Sequence, residues 1–455
     1  MKLNKEKIYE KLPVFLQNYL VSYAGKKIMK RRYDTGFSDK FKEVMNRDLT
    51  SHKIYDFQKE RVRAHLKYSM NSPYWARKIK QYNVNIEADN IIQELEKLPI
   101  LTKEEVKENK NEISISEEDQ NLIDIQTSGS TGASLKFEQT KEFEHEQWAV
   151  WWRYRQSLGI KFNELCGYFG GKIIVPIRNH QGPYWRFNKP GNQIMFSTYH
   201  IKSSTCEEYV KVINKKEIRW LHGYPSALAL LAGYIVEQNL SVTSKIKFIT
   251  IGSEGLQNFQ KELIEKAFGA QVYQHYGLAE GVANISECHL GKLHVDEDFS
   301  YTEFVPLDNS NTYKLIGTNF ANKAFPLFRY DTNDVVTINP EDVCECENKG
   351  RIVEEIDGRR DDYVILPNER RIGRLSHIFK ANTYIKEAQI VQNNNKEILI
   401  KVVRMQEYEE FKEEEVLIKQ ARKWLGEEIK INIEYVNEIK KTKNGKLRLV
   451  VSEIT

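Results

Sequence analysis

Between residues 168 and 277 the chain repeats one local pattern: a short apolar run, a glycine-bearing turn, then a helix-forming stretch. The apolar run 246–251 enters Gly252-Ser-Glu-Gly255. Residues 259–268 have helical spacing and stop at Gly269, and 272–276 ends again on Gly277. Earlier, 168–176 and Trp220-Leu-His-Gly-Tyr-Pro-Ser226 read as strand ends entering turns, and 226–238 as a helix with a wholly apolar centre. Strand–turn–helix repeats place successive strands side by side in a parallel sheet, because a crossover helix returns the chain to the same sheet end. Ligand sites in such sheets gather where loops leave the C-terminal strand ends.

The flanking segments differ. Residues 1–90 are rich in Lys, Tyr, Phe and Leu and poor in glycine. Phe57, Val62, Leu66 and Met70 keep helical spacing up to a break at Ser72-Pro73, so this is a helical lead-in. Thr102 is placed to cap a short helix with Glu105 three residues on. Residues 142–158 predict a helix carrying Trp148, Trp151 and Trp152. From about residue 300 short strands dominate (313–318, 328–338, 352–356). Beyond Asp357-Gly-Arg-Arg-Asp-Asp362 come strands at 387–392 and 397–403, a helix at 407–425, and strands at 431–436 and 447–452. The expected fold class is α/β: a large N-terminal αβ domain with mostly parallel sheets (1–90 leading into 91–357) and a small C-terminal α+β domain (358–455). A chain of 455 residues exceeds the size of a single core and accommodates both.

Charge and hydropathy exclude other classes. The 68 basic and 64 acidic residues leave a surplus of +4, scattered along the chain, which gives no case for nucleic acid. Gln17 and Asn18 interrupt the best apolar stretch near the start, so no signal peptide is expected. The longest apolar run, 227–236, contains Gly233 and falls well short of the roughly 20 residues that cross a bilayer. The expectation is a cytoplasmic protein with reduced thiols. Cys166 and Cys206 read as core thiols. Cys344 and Cys346 are two apart, so in a strand they would face the same side, and Cys288 and His294 flank a turn at Gly291. Together they make a Cys3His set suited to structural zinc, with His289 as a substitute ligand. Buried, reduced cysteines are the competing reading.

Two further stretches carry chemistry. Ile123 and Ile125 alternate with polar residues, as at a strand end. Thr127, Ser128, Gly129, Ser130, Thr131 and Gly132 follow, a loop of small hydroxyl residues and glycines. Its N–H and O–H donors can converge on phosphate oxygens, although by itself it is equally a flexible turn. It is not a Walker loop, since no Lys-Ser or Lys-Thr follows at the required spacing. Asn444-Gly445 is a two-residue hairpin signal that holds Lys446 at a tip. A lysine so placed is otherwise an ordinary solvated one.

In order along nearly the whole chain stand Thr127-Ser-Gly-Ser-Thr-Gly132, His222-Gly-Tyr-Pro-Ser226, Gly252-Ser-Glu-Gly255, Tyr276-Gly-Leu-Ala-Glu280, Pro326-Leu-Phe-Arg-Tyr-Asp-Thr-Asn-Asp334, Gly358-Arg-Arg-Asp-Asp362 and Gly445-Lys446. This series resembles the adenylate-forming ligases of the acyl-CoA synthetase superfamily, in particular the phenylacetate–CoA ligase group. Ile372-Gly-Arg-Leu-Ser-His-Ile-Phe379 and the terminal Gly-Lys-Leu-Arg-Leu-Val-Val-Ser452 resemble its CapK-type branch, found at capsule and surface-polysaccharide loci.

The resemblance implies MgATP and a carboxylic acid as substrates. It makes 91–357 an AMP-binding domain and 358–455 a mobile lid. The loop 127–132 takes the β- and γ-phosphates, Glu280 takes Mg2+, and Gly252, Ser253, Glu254, Tyr276 and Gly277 flank adenine. Asp334 and Arg359 take the ribose, Lys446 acts at the α-phosphate, and Asp361 is the hinge. Gly170, Gly171, Tyr199, His200, His222 and Tyr224 fall near the acyl pocket. The acceptor is the thiol of coenzyme A or an amine. A non-catalytic nucleotide-binding scaffold is the alternative, and the sequence carries no signal for oligomeric state. Ala279 for Thr, Asn333 for Gly and Ala133-Ser134 for X-Pro depart from the family pattern.

Overall fold

The computed structural model describes residues 5–115, 122–127, 135–307, 311–360, 362–373, 375–382, 384–442, 444–452 and 454. The chain forms two compact units that interleave in sequence. Met1–Ile28, Asn163–Gln274 and Gly358–Thr455 make the first; Met29–Phe162 and His275–Asp357 make the second.

The first unit holds the parallel sheet. Cys166–Phe169 lies between Gln193–Phe196 and Trp220–Gly223; Phe248–Ile251 follows, then the first half of Val272–Gly277, all parallel. Trp185–Asn188 adds an antiparallel edge. The helices between these strands are Cys206–Lys215, Pro225–Glu237 and Asn258–Phe268. Pro225 opens its helix at a position where a missing N–H costs nothing. Gly269, at φ +65°, ends the next one.

The apolar character of Pro225–Glu237 all round its circumference has a cause: it is covered on both sides. One side packs on the sheet, where Leu228, Leu231 and Ile235 are buried, at about 1.5–3 kcal/mol each. The other meets the C-terminal domain, where a Cβ on Gly233 would lie 2.5 Å from Lys386 Cγ. That domain is a four-stranded sheet in the order Lys430–Tyr435, Glu397–Arg404, Ile385–Asn394, Val450–Ser452, packed against the helix Glu410–Leu425. The central pair is antiparallel and both outer pairs are parallel.

In the second unit Ser72 breaks the expected helix into Ser51–Ser69 and Pro73–Gln81, accepting from Trp75 N–H at 3.3 Å as cap of the latter. Thr102 caps Lys103–Glu108 in the same way. Lys141–Ser157 starts at Thr140, which accepts from Phe143 N–H at 3.1 Å. This helix buries Glu144 and Glu146, and does so because Arg31 and Arg47 pair with them. Leu122–Gln126 and Lys136–Thr140 pair antiparallel on either side of the hydroxyl loop. Ser300–Pro306, Thr312–Asn319 and Tyr330–Thr337 form an antiparallel sheet. The second half of Val272–Gly277 begins another antiparallel run, through Asn284–Glu287 and Leu293–Val295 to Ile352–Val353. No helix among the described residues is long and apolar enough to cross a membrane.

Candidate active site and metal centre

Thr442, Gly445 and Lys446 are joined in a tight turn. Thr442 N–H donates to Lys446 O and Gly445 N–H to Thr442 O, each at 2.9 Å, and Lys446 N–H donates to Thr442 Oγ1 at 3.1 Å. Gly445 takes φ +73°, where a side chain would be strained. The turn expected from Asn444-Gly445 therefore forms, but not as the tip of a β-hairpin. Leu447 N–H is spent on Glu254 Oε1 at 2.9 Å, and Val450–Ser452 pairs in parallel with Ile385–Asn394 instead.

The turn carries Lys446 Nζ to 2.8 Å from Ser253 O and 5.7 Å from the Tyr224 ring centroid. Ser253 lies at φ +70°, a left-handed conformation unusual for serine. Burial lowers the lysine's pKa below the ordinary 10.5; the Glu254 charge opposes this and the Arg359 charge adds to it. Desolvation raises the pKa of half-buried Glu254, while Ser226 N–H at 3.2 Å, Leu447 N–H and Lys446 stabilise its charge. A reaction that depends on this ammonium staying protonated would show an alkaline limb in its pH–rate profile. Glu254→Gln removes the charge that holds the lysine's pKa up, so such a limb should move to lower pH. A slower enzyme with an unmoved limb would assign Glu254 a purely structural role.

Three of the residues expected near the acyl pocket, Gly171, Tyr199 and Tyr224, stand around this lysine. A Cβ on Gly171 would lie 1.8 Å from Asn444 O and 2.8 Å from Tyr224 Oη. Tyr199 Oη donates to Gly171 O at 3.1 Å, and a Cβ on Gly445 would lie 3.1 Å from that same hydroxyl. Burial, with help from Tyr168 and Glu254, pushes the Tyr224 phenol up to about 12. Gly170 packs against the Tyr168 ring. His222 is held through Nδ1 at 2.9 Å from Thr250 Oγ1. His200 is tied into the core instead, with Nδ1 2.7 Å from Ser197 Oγ and its ring stacked on Tyr184 at 5.2 Å. Gly171, Tyr224 and Ser253 each lie one to two residues beyond a parallel strand's C-terminal end, where such sheets bind ligands.

In the second unit Tyr276 Oη donates to Asp334 Oδ2 at 2.6 Å, joining two of the expected nucleotide residues. Asp334 is buried, and its N–H donates to Thr332 Oγ1 at 3.1 Å. Asn333 sits at φ +61°, so it supplies the left-handed turn that the family's glycine would supply; asparagine tolerates that conformation best among residues with a Cβ. Glu280 is buried in a turn closed by Gly281 at φ +68°, and its main-chain carbonyl accepts from Asn319 Nδ2 at 3.2 Å. Gly277 ends its strand and Arg359 ends Glu355–Arg359. Thr127 N–H donates to Leu135 O at 2.9 Å and Thr127 Oγ1 accepts from Leu135 N–H at 3.0 Å, closing the base of the hydroxyl loop. Ser128, Gly129, Ser130, Thr131 and Gly132 lie outside the described residues, as do Ala133, Ser134 and Asp361.

The Cys3His set also lies within the second unit. Asn284–Glu287 and Leu293–Val295 are joined by a turn with Gly291 at φ +79°, which sets Cys288 beside His294. Cys344 and Cys346 meet them. Cys288 Sγ is 3.7 Å from Cys344 Sγ, Cys346 Sγ is 3.3 Å from His294 Nε2, and all donor atoms of the set lie within 4.8 Å of one another. His294 Nδ1 is 3.1 Å from Gly350 O. Donation there leaves Nε2 as the lone-pair nitrogen facing the thiols, the tautomer a metal requires. The donor set fits zinc. His289 is exposed and stands outside the set. Cys166 and Cys206 are buried elsewhere.

One contact had only a faint signal in the sequence. Lys386 Nζ is 2.5 Å from Glu237 Oε1 and 4.8 Å from the Tyr234 ring centroid, and Gln406 N–H donates to the same carboxylate oxygen at 2.9 Å. This ties the C-terminal domain to Pro225–Glu237. The one trace of it was Gly233, a glycine inside an otherwise strong helix, which marks a close approach.

A parallel sheet with its crossover helices and a small C-terminal domain is the fold of the adenylate-forming ligases. The chain aligns with 2-hydroxyisobutyryl-CoA ligase in the postadenylation state with 2-HIB-AMP at a TM-score of 0.67 and 16% identity, covering 89% of each chain. With the same ligase in the thioesterification state, bound to 2-HIB-AMP and CoA, the TM-score is 0.53 at 16% identity over 89% of this chain and 90% of that one. With the anthranilate CoA ligase AuaEII in complex with anthranoyl-AMP it is 0.51, at 12% identity over 72% and 66%. Residues 364–453 match the family described as the CapK C-terminal domain. The chain is 28% identical over 459 residues to Protein CapK of Staphylococcus aureus, covering 98% of this chain and 99% of that protein.

Proposed function

We propose that this protein is an AMP-forming ligase that uses ATP to activate a carboxylic acid as an acyl-adenylate and then transfers the acyl group to an acceptor. The observation that carries this reading is the placement of Lys446. A small domain delivers it, half-buried, to the C-terminal strand ends, against Ser253 O and beside Gly171, Tyr199 and Tyr224. An ammonium held in place there stabilises charge that develops between an attacking carboxylate and the α-phosphate. In this reading Asp334 accepts the ribose hydroxyls, with Tyr276 fixing its orientation, and Arg359 assists. Gly252, Ser253, Glu254 and Gly277 border the adenine, and the 127–132 loop holds the leaving pyrophosphate. Glu280 supplies the oxygen ligand that Mg2+ prefers.

The acceptor is coenzyme A or an amine, and the product serves surface or capsular polysaccharide biosynthesis. The coenzyme A arm draws support from the CoA bound by the 2-hydroxyisobutyryl-CoA ligase, and the polysaccharide role from the CapK likeness. The test is to incubate the protein with MgATP and carboxylic acids, amino acids and uronic acids included, and to seek the acyl-adenylate by mass spectrometry. Adding coenzyme A or amines to a positive reaction then identifies the acceptor. Failure to form an adenylate with any acid counts against the reading.

Zinc at Cys288, His294, Cys344 and Cys346 has a structural role, since a closed four-ligand site offers no open position for chemistry. Protein purified without chelator should contain stoichiometric zinc, and Cys344→Ser should lower both the metal content and the unfolding temperature. Metal content unchanged by that substitution would exclude the site.

A further inference from the structure

The helix Val14–Arg32 has its polarity reversed. Its uncharged amide and hydroxyl residues Gln17, Asn18 and Ser22 face inward. Gln17 is buried, donating to Tyr9 O and Leu12 O at 3.0 Å each and accepting from Arg186 Nε at 2.7 Å. Asn18 accepts from Phe187 N–H at 2.8 Å, and Ser22 donates to Phe187 O at 2.9 Å. Its apolar residues face solvent: Phe15 is 70% exposed, Tyr19 67% and Tyr23 51%, with Leu16 and Leu20 beside them. Ile8 on the preceding helix and Phe187, Ile173 and Ile177 on segments that these helices touch are exposed as well. Inward hydrogen bonds hold the helix in place without help from its apolar stripe. A cluster of exposed aromatic and aliphatic side chains on this scale marks an interaction surface.

Charge identifies the partner. The Val14–Arg32 helix contains no acidic residue, and exposed Lys26 and Lys27 directly follow the aromatic stripe, with Lys27 Nζ 4.7 Å from the Tyr23 ring centroid. Residues 1–32 hold nine Lys or Arg and two Glu, a surplus of seven, against +4 for the whole chain. Of these, exposed Lys26 and Lys27 lie next to the apolar stripe, whereas Arg31 and Arg32 pair with Glu144. We propose that this face is a docking surface for an anionic lipid bilayer, with the helix lying in the interface plane. Phe15, Tyr19 and Tyr23 insert at headgroup level while the lysines meet lipid phosphates. A second copy of the chain would bring two basic ends together and suits the charge less well.

Flotation of the full-length protein with vesicles tests this. It should float with equimolar phosphatidylglycerol and phosphatidylcholine vesicles at low salt and stay behind with pure phosphatidylcholine; added salt should release it. Phe15→Asp with Tyr19→Asp, and separately Lys26→Glu with Lys27→Glu, should each lower partitioning about tenfold or more. Since all four side chains are exposed, the unfolding temperature should not move. No flotation with anionic vesicles, or flotation that neither variant reduces, overturns the proposal. So does a dimer in analytical ultracentrifugation that Phe15→Asp with Tyr19→Asp dissociates, if vesicles are not bound.

Discussion

Lys446→Ala should lower the rate of adenylate formation by about a hundredfold or more, the loss usual when one fixed donor to developing charge is removed. The turn that carries the lysine is built from main-chain bonds and Thr442, so it should survive the substitution. The loss should appear in turnover far more than in the Michaelis constant for ATP, because the contact it removes matters in the transition state. Single-turnover formation of the acyl-adenylate measures this directly. A variant with near-normal turnover would remove Lys446 from the chemistry.

Gly171→Ala should be nearly as damaging, although it adds a single methyl group and no charge. Its Cβ would fall 1.8 Å from the Asn444 carbonyl oxygen, a main-chain atom that cannot turn aside like a flexible side chain. The turn that joins Thr442, Gly445 and Lys446 must then withdraw, and Lys446 leaves Ser253 with it. Two readouts separate this from general damage. Leu447 N–H, protected by Glu254 in the native protein, should exchange faster with solvent, while amides of the parallel strands keep their protection. Combining Gly171→Ala with Lys446→Ala should cost little more than either alone, since both remove the same contact. Additive losses, or an unchanged Leu447 amide, would show that the glycine acts in some other way.

What the sequence made legible, and what it did not, follows the range of the interactions. Strand–glycine–helix periodicity, the Thr102 cap, the Ser72-Pro73 break and the Gly269 stop are local. Each is written within a few residues, and each element forms where it is read. The Cys3His cluster was legible because cysteine and histidine are rare enough for spacing to be informative. The hairpin expected at Asn444-Gly445 shows the limit. Turn chemistry is local and was realised, but strand pairing beyond the turn depends on where Leu447 N–H goes, and its partner Glu254 lies on a distant loop. The same holds for Glu237 and Lys386, and for the steric fit of Gly171 against Asn444. Nothing near these residues announces the other partner. The reversed Val14–Arg32 helix misleads for a related reason. Gln17 and Asn18 interrupt an apolar run, yet they are the residues that anchor the helix, which only the inward hydrogen bonds reveal.

The central claim is that this chain activates a carboxylate at the expense of ATP. ATP–pyrophosphate exchange tests it most directly, because exchange requires only reversible adenylate formation and no knowledge of the acceptor. The account predicts exchange that depends on one class of carboxylic acid and on Mg2+ and that is lost in Lys446→Ala. Nucleotide binding without exchange for any acid across a broad panel, unchanged in Lys446→Ala, would contradict it and make the protein a nucleotide-binding scaffold.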